Sequence, residues 1–195
     1  MLIDDIQPEY DFAEVHSIRV QATAEETFKG IKEITPSEIS RIMQLLMWLR
    51  GLPEKLMGRD WLGLSGEGPL LAQMTSGGFV ELAESAPNEI VLGMIAPAKL
   101  GRFWRNSSQP DVWCENAQDF AAFDRPEYLK VVMNLTVEES SEPGCVAIRT
   151  ETRCRALSPQ ARKSFTPYWR LIRPYSGLIR IVWLRGIRRR VEKQA

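Results

Sequence analysis

The feature that most constrains this chain is its last long stretch, Ser158 to Lys193, which carries the longest apolar face in the sequence. Wound at 3.6 residues per turn, it places Phe165, Trp169, Ile172, Ser176, Ile179 and Trp183 in one seam, in alternating steps of four and three. Arg162, Lys163, Arg170, Arg173, Arg180 and Arg188 gather on the opposite side. The stretch therefore predicts a long helix lying on a single surface, and each seam residue that is fully buried there is worth on the order of 1.5 to 3 kcal/mol. Ser158 can cap the first turn and Pro159 suits the first helical position. Pro167 and Pro174 each remove a backbone hydrogen bond, and both project away from the seam. A helix weakened on its solvent side bends around what it packs against, so the expectation is a kinked but continuous helix.

What such a helix covers must come from the rest of the 195 residues, 44% of which are hydrophobic: enough for one core, and a length that suits a single domain over 1–195. No apolar run approaches the roughly 20 residues of a membrane span, and Met1 to Asp11 is acidic where a secretory signal would be basic and then apolar. The expected location is cytoplasmic, with no stable membrane insertion. Three cysteines, Cys114, Cys145 and Cys154, without a Cys-x-x-Cys pair and beside one histidine, read as free thiols and exclude the usual structural zinc sites.

The net charge of zero hides an asymmetry. Residues 1–148 hold 12 Lys/Arg against 23 Asp/Glu, a balance of −11, while 149–195 hold 13 against 2, a balance of +11. Either a basic helix rests on an acidic body, or the helix offers a basic surface to phosphate, nucleic acid or anionic lipid. The cations are spread along a helix whose other face is committed, which favours the first and predicts no nucleic-acid partner. The terminal cluster Arg185, Arg188, Arg189, Arg190 and Lys193 also suits the unpaired carbonyls of a helix end.

Upstream, Val15 to Ala22 alternates, with His16, Ile18 and Val20 on one side, as a half-buried strand does. Thr23 with Glu26 is a capping box, followed by the stripe Phe28, Ile31 and Ile34; Thr35 with Glu38 is a second, with Pro36 at the first helical position and Gly51 and Pro53 as the stop. Leu45 and Trp48 fall on the polar side of that second helix and call for a cover, either the local stretch Leu52 to Pro69 or a homodimer surface, membrane contact or cavity portal. Phe79 to Glu84 and Glu89 to Ile95 flank the turn Ser85-Ala86-Pro87-Asn88 and read as a hairpin. Arg102 to Arg105 and Val112 to Glu115 are shorter strand candidates, and Asp119 to Asp124 is weakly patterned. Tyr128 to Glu138 sets Leu129, Val131, Met133, Leu135 and Val137 against Lys130, Val132, Asn134, Thr136 and Glu138. Cys145 to Ala156 is the clearest strand, with Val146, Ile148, Thr150, Thr152 and Cys154 inward and Arg149, Glu151, Arg153 and Arg155 outward.

In order, then, the chain reads as a strand, two short helices, a run of antiparallel strands and one long helix: an α+β protein whose curved sheet needs the long helix as its cover. The opening His16-Ser17-Ile18-Arg19-Val20-Gln21-Ala22, with Glu26-Thr27-Phe28 and Ile31, resembles the first strand and helix of the START-like superfamily, also called SRPBCC, which includes polyketide cyclases and lipid-transport proteins. The run Tyr168 to Ile179 is similar to the closing helix of a branch of that superfamily. The resemblance spans nearly the whole chain and implies a helix-grip fold around a ligand cavity. It brings no shared catalytic motif, so it implies no active-site residue.

The residues themselves supply no catalytic signature. One histidine permits no His-Glu-x-x-His site, and Gly63-Leu64-Ser65-Gly66-Glu67 has Glu where a nucleophile elbow needs glycine. No catalytic, metal-ligating or cofactor-binding set is therefore expected. His16, on an apolar strand face, reads as a satisfied structural histidine. What is left is a cavity between sheet and helix. Thr150, Thr152 and Cys154 would give it small polar groups amid aliphatic ones, Met133 an aliphatic wall, and Trp169, Ile172 and Ile179 a lid from the helix. Gly93 and Ser176 beside Gly177 would leave room near the backbone, and Tyr128 and Tyr168 could donate to a ligand oxygen. The expected function is binding of an apolar small molecule or lipid. A cyclase- or hydratase-like enzyme, and a protein-interaction domain with a filled cavity, are the alternatives.

Overall fold

The alternating stretches pair into one five-stranded sheet in the order β1-β5-β4-β3-β2, with every neighbouring pair antiparallel. The strands are β1 Phe12–Val20, β2 Val80–Ser85, β3 Glu89–Pro97, β4 Tyr128–Glu139 and β5 Val146–Ala156. The computed structural model describes residues 1–39, 68–98 and 114–194. Within these, the helices are α1 Leu2–Ile6, α2 Ala24–Glu33, α3 Pro36–Ile39, α4 Leu70–Ser76, α5 Ala117–Ala122 and α6 Pro159–Val191. The expected strands at Arg102 to Arg105 and Val112 to Glu115, the covering of Leu45 and Trp48, and the stop at Gly51 lie wholly or largely outside the described residues.

Register fixes which side chains share a face. Phe12, Glu14, His16 and Ile18 of β1 stand opposite Cys154, Thr152, Thr150 and Ile148 of β5, which in turn stand opposite Val131, Met133, Leu135 and Val137 of β4. This inner face is covered by α6, 33 residues long and continuous through Pro167 and Pro174, both of which are exposed. Ser158 caps α6 as expected, its Oγ accepting from Ala161 N at 3.1 Å. The capping box of α2 is complete, with Thr23 Oγ1 accepting from Glu26 N and Glu26 accepting from Thr23 N.

Two apolar clusters lie under α6. The larger joins Phe28 and Ile31 of α2, Ile39 of α3, Leu70 and Leu71 of α4, the sheet residues Leu92, Met133, Leu135 and Ile148, and Trp183, Leu184 and Ile187 of α6. The smaller, towards the start of α6, joins Leu129, Cys154, Ala161 and Phe165, with Phe12, Tyr168 and Trp169 packed on it. Phe12 meets Phe165 edge to face at 5.4 Å between ring centroids, a geometry that adds to the area buried.

The outer face is not the solvated face that its polar residues predict. Glu151 and Arg153, read as outward, do point away from α6, yet they are buried. Helix α1, in a stretch from which the sequence suggested no element, lies over them and inserts Ile3 among Val91, Ile95, Phe120, Tyr128 and Val132. Its two ends are held by buried charge: Glu89 accepts from Leu2 N at 2.7 Å and Ile3 N at 3.3 Å, and Arg153 Nη1 donates to the carbonyls of Ile3 at 3.3 Å and Gln7 at 3.0 Å. A carboxylate at the N-terminus and a guanidinium at the C-terminus both match the direction of the helix dipole. Asp119 to Asp124, weakly patterned amid the strand-like text, instead falls in helix α5 as far as Ala122, a helix started by Asn116, whose side chain accepts from Asp119 N at 2.9 Å. The capping side chain and the Ala-Gln-Asp-Phe-Ala-Ala composition outweigh the weak alternation.

Candidate functional site

The sequence placed eleven residues in a cavity, and the structure divides them. Met133, Thr150, Thr152 and Cys154 share the inner face, and the α6 residues Tyr168, Trp169, Ile172, Ser176 and Ile179 are half-buried along the helix that covers it. Gly93 and Tyr128 do not join them. Gly93 stands opposite Val132, on the outer face, where a Cβ would come within 2.5 Å of Leu82 Cδ1 and 3.0 Å of Phe120 Cε2. Its missing side chain makes way for that packing and opens no room on the inner side. Tyr128 packs in the same outer cluster, edge to face with Phe123 at 5.3 Å. Gly93 lies on β3 and Tyr128 at the start of β4, and both strands are buried on both faces, which weakens the sequence signal for which face is which.

Between the two apolar clusters, the β1–β5 part of the inner face turns polar. Glu14 and His16 of β1 and Thr150 and Thr152 of β5 form two adjacent cross-strand pairs there. His16 Nε2 and Glu14 Oε1 are hydrogen-bonded at 3.1 Å. Thr150 donates to the carbonyl of Asn134 at 2.8 Å and accepts from Arg180 Nη1 at 3.3 Å. Arg180, read from the helical wheel as one of the solvent-side cations, is thus half-buried and turned under the helix. Its long stem can lie along apolar surface while the guanidinium reaches a buried acceptor.

Gly177 explains how α6 comes so close. A Cβ there would lie 2.5 Å from Glu14 Oε1 and 3.1 Å from His16 Nε2, so glycine lets the helix backbone rest directly on the Glu14–His16 pair. The position is a packing notch, filled by those two side chains.

Two polar atoms of this band have no hydrogen-bond partner: Glu14 Oε2 and Thr152 Oγ1, both fully shielded, in residues 8% and 5% exposed. A buried hydroxyl or carboxylate oxygen without a partner forfeits on the order of 1 to 3 kcal/mol, so two on adjacent strands are a departure that packing does not explain. Cys154, one step along β5, has its thiol pushed up to about 12 by burial, with the nearby Arg180 opposing and Glu14 adding to the shift. It remains a protonated thiol, a small apolar surface and not a nucleophile.

At the C-terminal end of α6, three arginines are held by named partners. Arg190 donates to Glu38 at 2.6 Å and Glu33 at 2.9 Å, Arg188 pairs with Glu192, and Arg189 donates to the carbonyl of Ile39 at 2.8 Å. The basic end of α6 therefore ties the helix to α2 and α3, as the charge asymmetry suggested of the basic segment against the acidic body. At the other end, a surface depression of about 540 Å³ opens beside the first turn of α6, lined by Asp11, Leu157, Ser158, Arg162, Lys163 and Thr166, with Asp11 and Arg162 paired across it at 3.2 Å. Among the described residues, no group of three or more His, Cys, Asp or Glu could hold a metal, and no helix is long and apolar enough to cross a membrane.

The polar band was half legible. Thr150, Thr152 and Cys154 were identified by inward alternation, and His16 was placed on the correct face. Glu14 was missed because β1 begins at Phe12 and not at Val15, so the alternation was not followed back to a carboxylate in phase with His16. The architecture is that of an α+β protein with a five-stranded antiparallel sheet closed on one side by a long C-terminal helix. No family model matches the chain, and no curated protein matches its sequence.

Proposed function

We propose that the chain is a START-like module that grips an apolar or amphipathic small molecule or lipid between the sheet and α6, with α6 bent around it at Pro167 and Pro174. The observation that carries this reading is a polar break in the apolar core. The interior beneath α6 is split into two clusters by the band of Glu14, His16, Thr150 and Thr152, and the α6 residues along it are half-buried: Ile172 and Ser176, which join neither cluster, and Trp169 and Ile179 at the clusters' edges. A mostly aliphatic wall interrupted by a few convergent polar groups is the composition of a small-molecule site. Native mass spectrometry of freshly purified protein tests it: a co-purifying small molecule, released on denaturation, is expected. Protein that carries none, and takes up none after exposure to a mixed lipid extract, overturns the reading.

A second reading has its own observation. Glu14 is a buried carboxylate bonded to the chain's one histidine, and such a pair can shuttle a proton in a cyclase- or hydratase-like reaction on a polyketide-like substrate. Turnover of a bound polyketide-like compound that Glu14→Gln abolishes without releasing the compound would favour it over simple binding.

A further inference from the structure

The unpaired atoms of the polar band define a head group, and this inference rests on the binding reading above. Glu14 and Thr152 are direct cross-strand partners, so their side chains leave the sheet side by side on the face that α6 covers. Glu14 Oε1 is occupied by His16, and Gly177 backs onto that pair, which leaves Glu14 Oε2 as the carboxylate's available acceptor. Thr152 Oγ1, the other shielded atom without a partner, both donates and accepts. Thr150, next along β5, is already saturated by Asn134 and Arg180. The two atoms together thus ask for one group that donates to a carboxylate oxygen and exchanges a hydrogen bond with a hydroxyl.

Charge narrows the choice. A ligand carboxylate would meet Glu14 head on, and a ligand ammonium, though attracted by Glu14, would crowd the Arg180 guanidinium, which donates at 3.3 Å to Thr150, the next residue along this face of β5. A neutral hydroxyl suffers from neither. It can donate to Glu14 Oε2 and accept from Thr152 Oγ–H, and the aliphatic neighbours Met133, Leu92 and Leu135 suit an apolar remainder. We propose that the Glu14–Thr152 cradle recognises the hydroxyl of an otherwise apolar alcohol, and so selects uncharged hydroxylated lipids or polyketide-like alcohols over fatty acids and amines.

The test compares 1-decanol, decanoate and decylamine, three head groups on one chain, by displacement of a fluorescent apolar probe from the full-length protein. Decanol is expected to bind on the order of tenfold more tightly than either charged analogue, the ratio that about 1.4 kcal/mol of matched hydrogen bonding gives. Thr152→Val, which keeps the shape and removes the hydroxyl, is expected to erase that preference while leaving the tail's contribution, and Thr152→Ser to keep it. Glu14→Gln provides a second, independent variant should the valine protein unfold, with the preference again expected to shrink. Equal binding of all three probes overturns the head-group inference and leaves the binding reading standing; so does a decanol preference that survives Thr152→Val, which would mean that the cradle holds only a water. A preference for decylamine overturns it too, as a cation site. If none of the probes binds, the binding reading falls and the head-group inference falls with it.

Discussion

The two faces of the sheet treat buried polar groups in opposite ways. On the outer face, Glu89 takes three hydrogen bonds, from Leu2 N, Ile3 N and Asn134 Nδ2, while Asn134 Oδ1 accepts from Glu151 N at 2.9 Å. Both Glu151 oxygens are paired, one with Arg153 at 2.7 Å and one with Arg149 at 2.6 Å, and the Arg153 guanidinium is satisfied by Glu151, Asp4 and two carbonyls, with the Tyr10 ring 4.8 Å away. Gln7 Oε1 is the exception within this network. On the inner face, the carboxylate and hydroxyl at the centre of the band stand half satisfied. A completed buried network specifies a structure, whereas an incomplete one is a standing cost that function can explain. The comparison assigns the outer network to folding and the inner band to binding, and each assignment can be broken separately.

The largest effect is expected on the outer face. Arg153→Met removes an almost wholly buried cation from the buried Glu151 carboxylate and from the Gln7 carbonyl, while the Ile3 carbonyl keeps Gln7 N, so a loss of roughly 3 to 5 kcal/mol is expected in chemical denaturation. A loss below about 1 kcal/mol would mean that α1 contributes little to the folded state. Next come the two tryptophans of the α6 seam. Trp183→Ala, in the large cluster and 3% exposed, should cost roughly 3 to 5 kcal/mol. Trp169→Ala, half-buried at the edge of the small cluster, should cost only about 1 to 3 kcal/mol. Equal losses would remove the break in the apolar core on which the binding reading stands.

A smaller effect separates two neighbouring threonines by sign. Thr150→Val breaks one buried and one half-buried hydrogen bond, and should destabilise by about 1 to 2 kcal/mol. Thr152→Val breaks none and relieves a hydroxyl held from water without a partner, so ligand-free protein should gain about 1 kcal/mol. The pair shares a strand, a face and a chemistry, and differs only in satisfaction. Destabilisation by both would indicate that Thr152 Oγ1 has a partner, and the inner face would then resemble the outer one.

Periodicity carried the sheet and the long helix well, because α6 and β5 each present one committed face. The face of Val146, Ile148, Thr150, Thr152 and Cys154 follows directly from alternation. It carried poorly what both faces of β4 bury. Lys130, Asn134 and Thr136 looked like solvent positions, yet Asn134 and Thr136 are buried and Lys130 lies over Phe120 at 5.4 Å with its ammonium on the Ala121 carbonyl. What covers them, α1 and α5, comprises five and six residues, too short for a helical period to register. Arg180 failed for a different reason: a helical wheel places its Cβ, but the end of an arginine lies several bonds away and goes where an acceptor is buried.

The smallest effect concerns how firmly the outer network holds α1, and it is read by pH. Asp4 accepts from Arg153 Nη2 at 2.6 Å, and this bond chiefly holds its carboxyl below the ordinary value, against the opposing effect of burial and with help from the Met1 ammonium 3.3 Å away. With the folded-state pKa below the unfolded one, the stabilisation is complete above the unfolded carboxyl pKa of about 3.9 and is lost as pH falls through the lower folded value. Asp4 is half-exposed, so solvent and salt screen the pair, and the loss should appear locally before it appears in global unfolding. Amide protection factors over Ile3 to Gln7 should therefore step down as pH drops below about 4, while those of β4 and β5 hold. In Asp4→Asn, which keeps an acceptor but cannot titrate, the step in α1 should vanish. A step of unchanged size in that variant would mean that the acid-sensitive contact holding α1 is not the Asp4–Arg153 pair at the rim of the outer network.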